Sequence, residues 1–251
     1  MIPLPLTYLA RPIAHRGFHN LDAGRPENSR AAFEAAIAHG YAIELDVQMT
    51  RDEQAIVFHD YDLRRLTPES GPIRQRTLAE MQTIPLIGGE TCPEPLSDIL
   101  SLIDGRVPVL LEIKDQDGAM GLKIGDLEQS VSKAIQNYSG AIAVMSFNPN
   151  TTATMAKLLP NVPRGLVTSP YTPGSWPFSR ARCAELREIP DYDRAQASFI
   201  SHEFHDLDRP RVRELKDQGA TILCWTVTSQ SEADLALSEA DNITFEGFSP
   251  A

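Results

Sequence analysis

Cysteine is scarce in this chain: Cys92, Cys183 and Cys224 are the only three in 251 residues. An odd, widely spaced set excludes a disulfide framework and supplies none of the paired spacings of a zinc site. Basic residues are also in deficit, with 23 Lys and Arg against 34 Asp and Glu and a net charge of −11. Nucleic-acid backbones are held by surplus Lys and Arg, so no nucleic-acid partner is expected. A small phosphorylated ligand in a locally positive site stays open. No apolar run approaches the ~18 residues that a membrane span needs. The start, Met1-Ile2-Pro3-Leu4-Pro5-Leu6, has no basic flank and no sustained apolar stretch. It does not read as a secretory signal, and a cytoplasmic location is the expectation. Nor is there an internal repeat or a low-complexity tract, and the 42% hydrophobic content is that of a folded globule. Nothing in the sequence fixes an oligomeric state.

What is present is a rhythm of short β-prone segments separated by helical patterns. The candidate strands are Pro12–His15, Ala42–Gln48, Ala55–Phe58, Val107–Lys114, Ala141–Phe147, Arg164–Thr168, Ala197–His202, Thr221–Thr226 and Asn242–Phe245. Helical periodicity marks Ser29–His39, Pro95–Ile103, Ile124–Tyr138, Thr151–Leu159, Arg180–Leu186, Arg209–Gln218 and Ser231–Leu237. Asn28-Ser29 can cap the first helix and Asp208 the one beginning near Pro210. Strands alternating with helices imply a parallel sheet with helical crossovers. With Ala55–Phe58 read as an extension of the second strand region, eight strands remain, and eight favours a closed (β/α)8 barrel of the TIM type. The chain then reads as one domain over residues 1–251. The stretch from about 60 to 106 exceeds a normal crossover and is rich in Pro and Gly, so a small insertion is expected between the second and third barrel strands. Pro170–Phe178, with three prolines, is expected to form another rim loop.

Four polar clusters near the N-terminus carry the chemistry: His15-Arg16-Gly17, Glu27-Asn28-Ser29, Glu44-Leu45-Asp46 and His59-Asp60. In Ile43-Glu44-Leu45-Asp46-Val47-Gln48-Met49 the acids alternate with aliphatics, so Glu44 and Asp46 share one face of a strand. A central strand of a parallel sheet is normally apolar on both faces. Two acids confined there must be paired, protonated or metal-bound. Leu111-Glu112-Ile113-Lys114 repeats the pattern on the next strand. Glu44, Asp46 and Glu112 can therefore converge on one divalent cation, and hard oxygen donors suit magnesium, calcium or manganese. The competing reading pairs Glu112 with Lys114 and leaves Glu44 and Asp46 on a solvated edge.

His15 and His59 each end a candidate strand, where a side chain able to exchange a proton near neutrality is well placed for acid–base work. Arg16 offers a fork of donors for phosphoryl oxygens, and Lys114 adds a point charge. Gly17 either permits a sharp turn or lets backbone N–H groups approach an anion. His39, at a helix end, suits the helix dipole. Glu27 either stands ahead of a cap or reaches an ion or substrate hydroxyl, and Asp60 either orients His59 or begins a turn. Ser146 and Asn148 are candidates to line the pocket, and Trp225 to wall it or to plug the core.

These signatures, with Ser146-Phe147-Asn148 and Trp225-Thr226-Val227, resemble the glycerophosphodiester phosphodiesterase family over almost the full chain. The resemblance implies a β/α barrel with an insertion where the 60–106 stretch lies. It implies Glu44, Asp46 and Glu112 as metal ligands, with Glu27 near or within that shell. His15 and His59 match the acid–base pair, and Arg16 and Lys114 the phosphate contacts. The implied reaction hydrolyses glycerophosphodiesters to glycerol 3-phosphate and an alcohol through attack by the substrate's own hydroxyl and a cyclic phosphate. Magnesium is the preferred cation. The chain departs from the family at its end, where Thr-Asp is common but Thr244-Phe245-Glu246 stands. The acid is shifted or absent, and Phe245 or Phe248 is expected to reshape the rim, which keeps lysophospholipids or other phosphodiesters open as substrates. Ser29, where threonine is common, is a mild change. A non-catalytic binding protein is the remaining alternative, and it leaves both histidines without a purpose.

Overall fold

The computed structural model describes residues 1–251. Its strands are β1 (Ile13–Ala14), β2 (Ala42–Met49), β3 (Ala55–Val57), β4 (Val109–Ile113), β5 (Ile142–Ser146), β6 (Arg164–Thr168), β7 (Phe199–Glu203), β8 (Thr221–Val227) and β9 (Asn242–Phe245). All except β3 run parallel, and β1 pairs with both β2 and β9, which closes the eight-stranded ring. The helices are α1 (Arg30–His39), α2 (Leu78–Met81), α3 (Leu96–Ile103), α4 (Asp126–Ile135), α5 (Pro149–Leu158), α6 (Arg180–Arg187), α7 (Pro210–Asp217) and α8 (Gln230–Ala236). The expected (β/α)8 barrel is the observed fold.

Two apolar layers hold it. The outward residues of the strands, among them Ile43, Leu45, Leu111, Val144, Ile200 and Ile243, pack under the helices in one large buried cluster. The inward residues Ile13, Ala42, Leu110, Ala143, Met145, Val167, Phe199 and Leu223 fill the lower barrel together with Leu4 and Tyr8. The Tyr8 hydroxyl donates to the carbonyl of Val109 (2.7 Å), so the N-terminal segment plugs the bottom of the ring. Filling the interior from below leaves room only at the C-terminal ends of the strands, where barrels of this type place their sites.

Local chemistry sets most helix starts. The side chains of Ser29, Asn148, Ser179 and Ser229 accept from backbone N–H groups of α1, α5, α6 and α8. Asp208 does not cap α7: the capping position falls on Arg209, which makes no side-chain bond, and Pro210 starts the helix by fixing its own φ. Ala55–Phe58 does not extend the second strand either. It turns back as β3, antiparallel to the end of β2, with Gln48 opposite Ile56. The chain between β3 and α3 has its own small core of Ile56, Phe58, Leu63, Leu66, Ile73, Met81, Ile84 and Leu86. Helix α3, inside the stretch expected to be inserted, packs between α1 and α4 as an ordinary crossover helix. The extra structure therefore ends near Pro95, not at 106.

Candidate active site

The β2 alternation does what the sequence implied. All eight of its residues are buried, and Asp46 lies opposite Glu112 in the β2–β4 register. One carboxylate oxygen each from Glu44, Asp46 and Glu112 lies within 4.8 Å of the other two. Lys114 Nζ stands 2.8 Å from Asp46 Oδ1 and 2.7 Å from Glu112 Oε1. Glu112 pairs with Lys114, as the competing reading had it, but Glu44 and Asp46 are each 1% exposed and lie on no solvated edge. Burial works to raise the Asp46 pKa, but Lys114, His59, Arg16 and His15 outweigh it and hold the carboxyl far below its usual range. Glu44 goes the other way. Burial, then the charges of Asp46 and Glu112, push its pKa well up against the help of Lys114 and the Arg16 N–H.

Lys114, with an Arg16 that is shared with Glu27, does not balance three buried carboxylates, and the excess shows as the raised pKa of Glu44. Asp46 Oδ1, despite its proximity to Lys114, accepts no well-aligned hydrogen bond. A hard divalent cation is the group that such an oxygen set fits.

Asn28 fixes Asp46 from the side. Its Nδ2 donates to Asp46 Oδ2 (2.9 Å), and its Oδ1 accepts from the Asp46 N–H (3.2 Å). It does so with φ at +54°, in the left-handed region that asparagine tolerates better than most residues. Asn28 is therefore a buttress for Asp46, and the neighbouring Ser29 is the helix cap.

Arg16 (φ +55°) and Gly17 (φ +79°) form a left-handed reversal directly after β1. The reversal aims the Arg16 N–H at Glu44 Oε2 (2.9 Å) and its guanidinium at Glu27 (2.7 Å) and Asp46 (3.4 Å). Of the two readings of Gly17, the turn is the one observed. A Cβ there would meet Phe33 Cδ1 at 2.9 Å, and the Gly17 N–H already donates to Ala14 and Glu44 carbonyls. Glu27 lies outside the three-carboxylate cluster, its oxygens held by Arg16 and by Arg65 (2.6 and 2.9 Å).

Both histidines are held by a carboxylate at Nδ1. His59 contacts Asp60 at 2.6 Å, and Arg65 in turn grips Asp60. His15 contacts Glu246 at 2.6 Å. A carboxylate at Nδ1 sets the tautomer and leaves Nε2 free to face the site, and His15 Nε2 is 4.0 Å from Glu44. Burial lowers the His15 pKa, partly opposed by Glu246. The hydrogen bond from His15, with His19 3.5 Å away, holds Glu246 far below the ordinary carboxylate range.

Glu246 was not singled out by the sequence, nor was Arg65. Strand parity was a usable signal for Glu246, because Asn242, Thr244 and Glu246 alternate with the outward Ile243 and Phe245. Arg65 sits in the insertion, where no periodicity points to it. The phenylalanines at the chain end do not shape the rim: Phe245 is 1% exposed in the outer core and Phe248 packs on it.

His15, Arg16, Glu44, His59, Glu112, Lys114 and Trp225 line one inner cavity of about 90 Å3, with Ser201, Thr226 and Thr244. A wider cavity of about 620 Å3 continues from His59, Glu112 and Lys114 toward Tyr61, Met120, Phe147, Trp176, Phe178 and Trp225. Trp225 walls both, and its Nε1 donates to the Ser201 carbonyl (3.0 Å). Trp176 and Phe178 belong to the proline-rich loop expected at the rim. Ser146 and Asn148 line neither cavity. Ser146 donates to the Ile113 carbonyl (2.7 Å), and Asn148 Nδ2 holds Asp115 (2.8 Å), so the pair secures the loop after β4. His39 donates within its own helix toward the Ala35 carbonyl (2.8 Å), the structural role expected of it.

A closed parallel barrel, with carboxylates, basic groups and carboxylate-held histidines at the C-terminal ends of its strands, defines a phosphoryl-processing barrel enzyme. Residues 15–241 match the model of the glycerophosphoryl diester phosphodiesterase family. The chain belongs to that family.

A glycerophosphodiester phosphodiesterase of Caldanaerobacter subterraneus subsp. tengcongensis is 33% identical over 232 residues, covering 88% of this chain and 87% of the relative. A lysophospholipase D of Rattus norvegicus is 30% identical over 139 residues, 52% of this chain and 42% of its own. Among solved structures, an Oleispira antarctica phosphodiesterase in complex with the product sn-glycerol-3-phosphate shares the fold. Its TM-score is 0.77 at 21% identity, with 96% of this chain and 94% of that one covered. No helix of the chain is long and apolar enough to cross a membrane.

Proposed function

We propose that the protein hydrolyses glycerophosphodiesters to glycerol 3-phosphate and an alcohol with the aid of one divalent cation, magnesium by preference and calcium or manganese by the same donor chemistry. The observation that carries this reading is the shared inner cavity, in which both Nδ1-held histidines border Glu44, Glu112, Arg16 and Lys114. Glu44, Asp46 and Glu112 would hold the cation, which when bound supplies charge stabilisation to the phosphoryl oxygens. Arg16 and Lys114 bind and orient those oxygens.

In the first step one histidine Nε2 takes the proton of the substrate's glycerol 2-hydroxyl as its oxygen bonds to phosphorus. The bond from phosphorus to the alcohol oxygen breaks, and the second histidine delivers a proton to that oxygen. In the second step the roles reverse: water adds to phosphorus, the ring ester bond breaks, and glycerol 3-phosphate leaves. Asp60 and Glu246 hold the two rings for these transfers, each through a 2.6 Å contact at Nδ1 that leaves Nε2 to the substrate.

A second reading, a lysophospholipid as the diester, is favoured by the aromatic cavity of about 620 Å3 that opens from the same carboxylates. The similarity to the rat lysophospholipase D supports it. One kinetic screen tests both. Purified protein with magnesium and glycerophosphocholine is expected to release glycerol 3-phosphate, EDTA to abolish release, and His15→Ala or His59→Ala to lower turnover about 10²–10⁴-fold with the melting temperature kept. Full turnover in either variant would remove that histidine from the mechanism. Preference for lysophosphatidylcholine over glycerophosphocholine would decide for the second reading.

A further inference from the structure

The inner cavity has a floor that the reaction above does not use. Ser201 on β7 and Thr244 on β9 line it below His15 and Glu44, and the two residues are 0% and 1% exposed. Neither Ser201 Oγ nor Thr244 Oγ1 has a hydrogen-bond partner. Their neighbours at this depth are apolar: Ile13 lies beside Thr244 in the β1–β9 register, and Phe199 precedes Ser201 on the same inward face. The interior of such barrels is ordinarily filled by branched aliphatics, and a buried hydroxyl without a partner is a cost that packing alone gives no reason to keep. Two such hydroxyls facing one space are suited to a ligand that brings hydroxyls of its own. The two residues belong to the inner cavity of about 90 Å3, far narrower than the aromatic cavity of about 620 Å3, so the smaller moiety of the diester is the one this end admits.

We propose that Ser201 and Thr244 form a polyol subsite that binds the terminal hydroxyl of the substrate's glycerol and sets the orientation of the diester, with glycerol on the barrel floor and the leaving alcohol along the aromatic wall of Phe147, Trp176 and Trp225. This rests on the phosphodiesterase reading. In this pose the two residues meet the terminal hydroxyl alone, so their role is specificity and not proton transfer. A site built to pair a substrate hydroxyl rejects the analogue that lacks it, because the buried groups are then left unpaired.

The test compares glycerophosphocholine with its deoxy analogue, the phosphocholine ester of propane-1,2-diol, which keeps the hydroxyl that attacks phosphorus and lacks the terminal one. Calorimetric titration of the two corresponding phosphate monoesters into the magnesium-loaded protein runs in parallel. Wild-type protein is expected to favour the glycerol compound by at least about 30-fold in kcat/KM and in affinity. Ser201→Ala and Thr244→Val should each lower that ratio about tenfold, the double variant should bring it near unity, and Thr244→Ser, which keeps the hydroxyl, should restore it. Equal wild-type preference for the two monoesters, the result expected if the hydroxyls bind only water, overturns the subsite, as does a ratio unchanged by the double variant. If the wild type hydrolyses neither diester, the phosphodiesterase reading fails, while the titrations still decide whether the polyol subsite exists.

Discussion

Glu246 shows how one side chain's chemistry depends on strand parity. The sequence shift from Thr-Asp to Thr244-Phe245-Glu246 looks like a lost acid. Yet Phe245 turns outward into the core, and Glu246 arrives on the inward side, 2.6 Å from His15 Nδ1. His15 is buried, which disfavours its charged form, and Glu246 is the group that opposes this. Glu246→Gln keeps the size and removes the charge. It is expected to lower kcat about 10–100-fold with KM nearly unchanged, the pattern of a group that acts through His15. Unaltered kcat, or a loss confined to KM, would make Glu246 a rim residue only. The cluster of Glu44, Asp46 and Glu112 was legible from alternation, because acids on one face of a buried strand must be paired, protonated or metal-bound. Glu246 lay just beyond the last expected strand, where the same alternation continued but was not followed.

At the scale of elements, the strands and crossover helices were readable because each is an apolar period bounded by turn residues. What escaped depended on how the chain turns and pairs, which residue type alone does not show. β3 has the composition of a continuing strand, and only its pairing back onto β2 reverses its direction. Asp208 has the right residue type for a cap, but Pro210 starts α7 one position too late for it to serve.

A third case is His202, which lies 1% exposed on the outward face of β7. Thr168 Oγ1 is 2.7 Å from its Nδ1, and Asp206 Oδ2 is 3.1 Å from its Nε2. Burial lowers its pKa below the 6.5 of a free histidine, with Asp206 only partly opposing. In the window between the folded and unfolded values the unfolded chain binds more protons, so stability there rises with pH. The contribution is whole above about pH 6.5 and erodes as the pH falls toward the folded value. Melting temperatures measured from pH 7.5 to 5 are expected to fall less steeply for His202→Gln than for the wild type. Parallel curves would mean that His202 titrates alike in both states.

For the whole molecule, the barrel holds a concentration of like charge that no local element would tolerate alone. Direct parallel pairing sets β2 and β4 side by side, and the plug of Tyr8, Phe199 and Leu223 beneath keeps water from dispersing the field of Glu44, Asp46 and Glu112. Lys114 balances part of it, and Glu44, with its raised pKa, bears the rest. A cation that binds only the folded arrangement must then stabilise the fold by mass action, about 2.7 kcal/mol at a hundredfold excess over its dissociation constant. For a chain of this length that is a rise of roughly 5–10 °C in melting temperature. Magnesium added to chelated protein is expected to produce such a rise, EDTA to reverse it, and Glu112→Gln to abolish most of it. Calcium and manganese, titrated the same way, rank the ions without reference to turnover. A melting temperature indifferent to all three would mean that the carboxylates are balanced by Lys114 and protonation alone, and the metal site would be withdrawn.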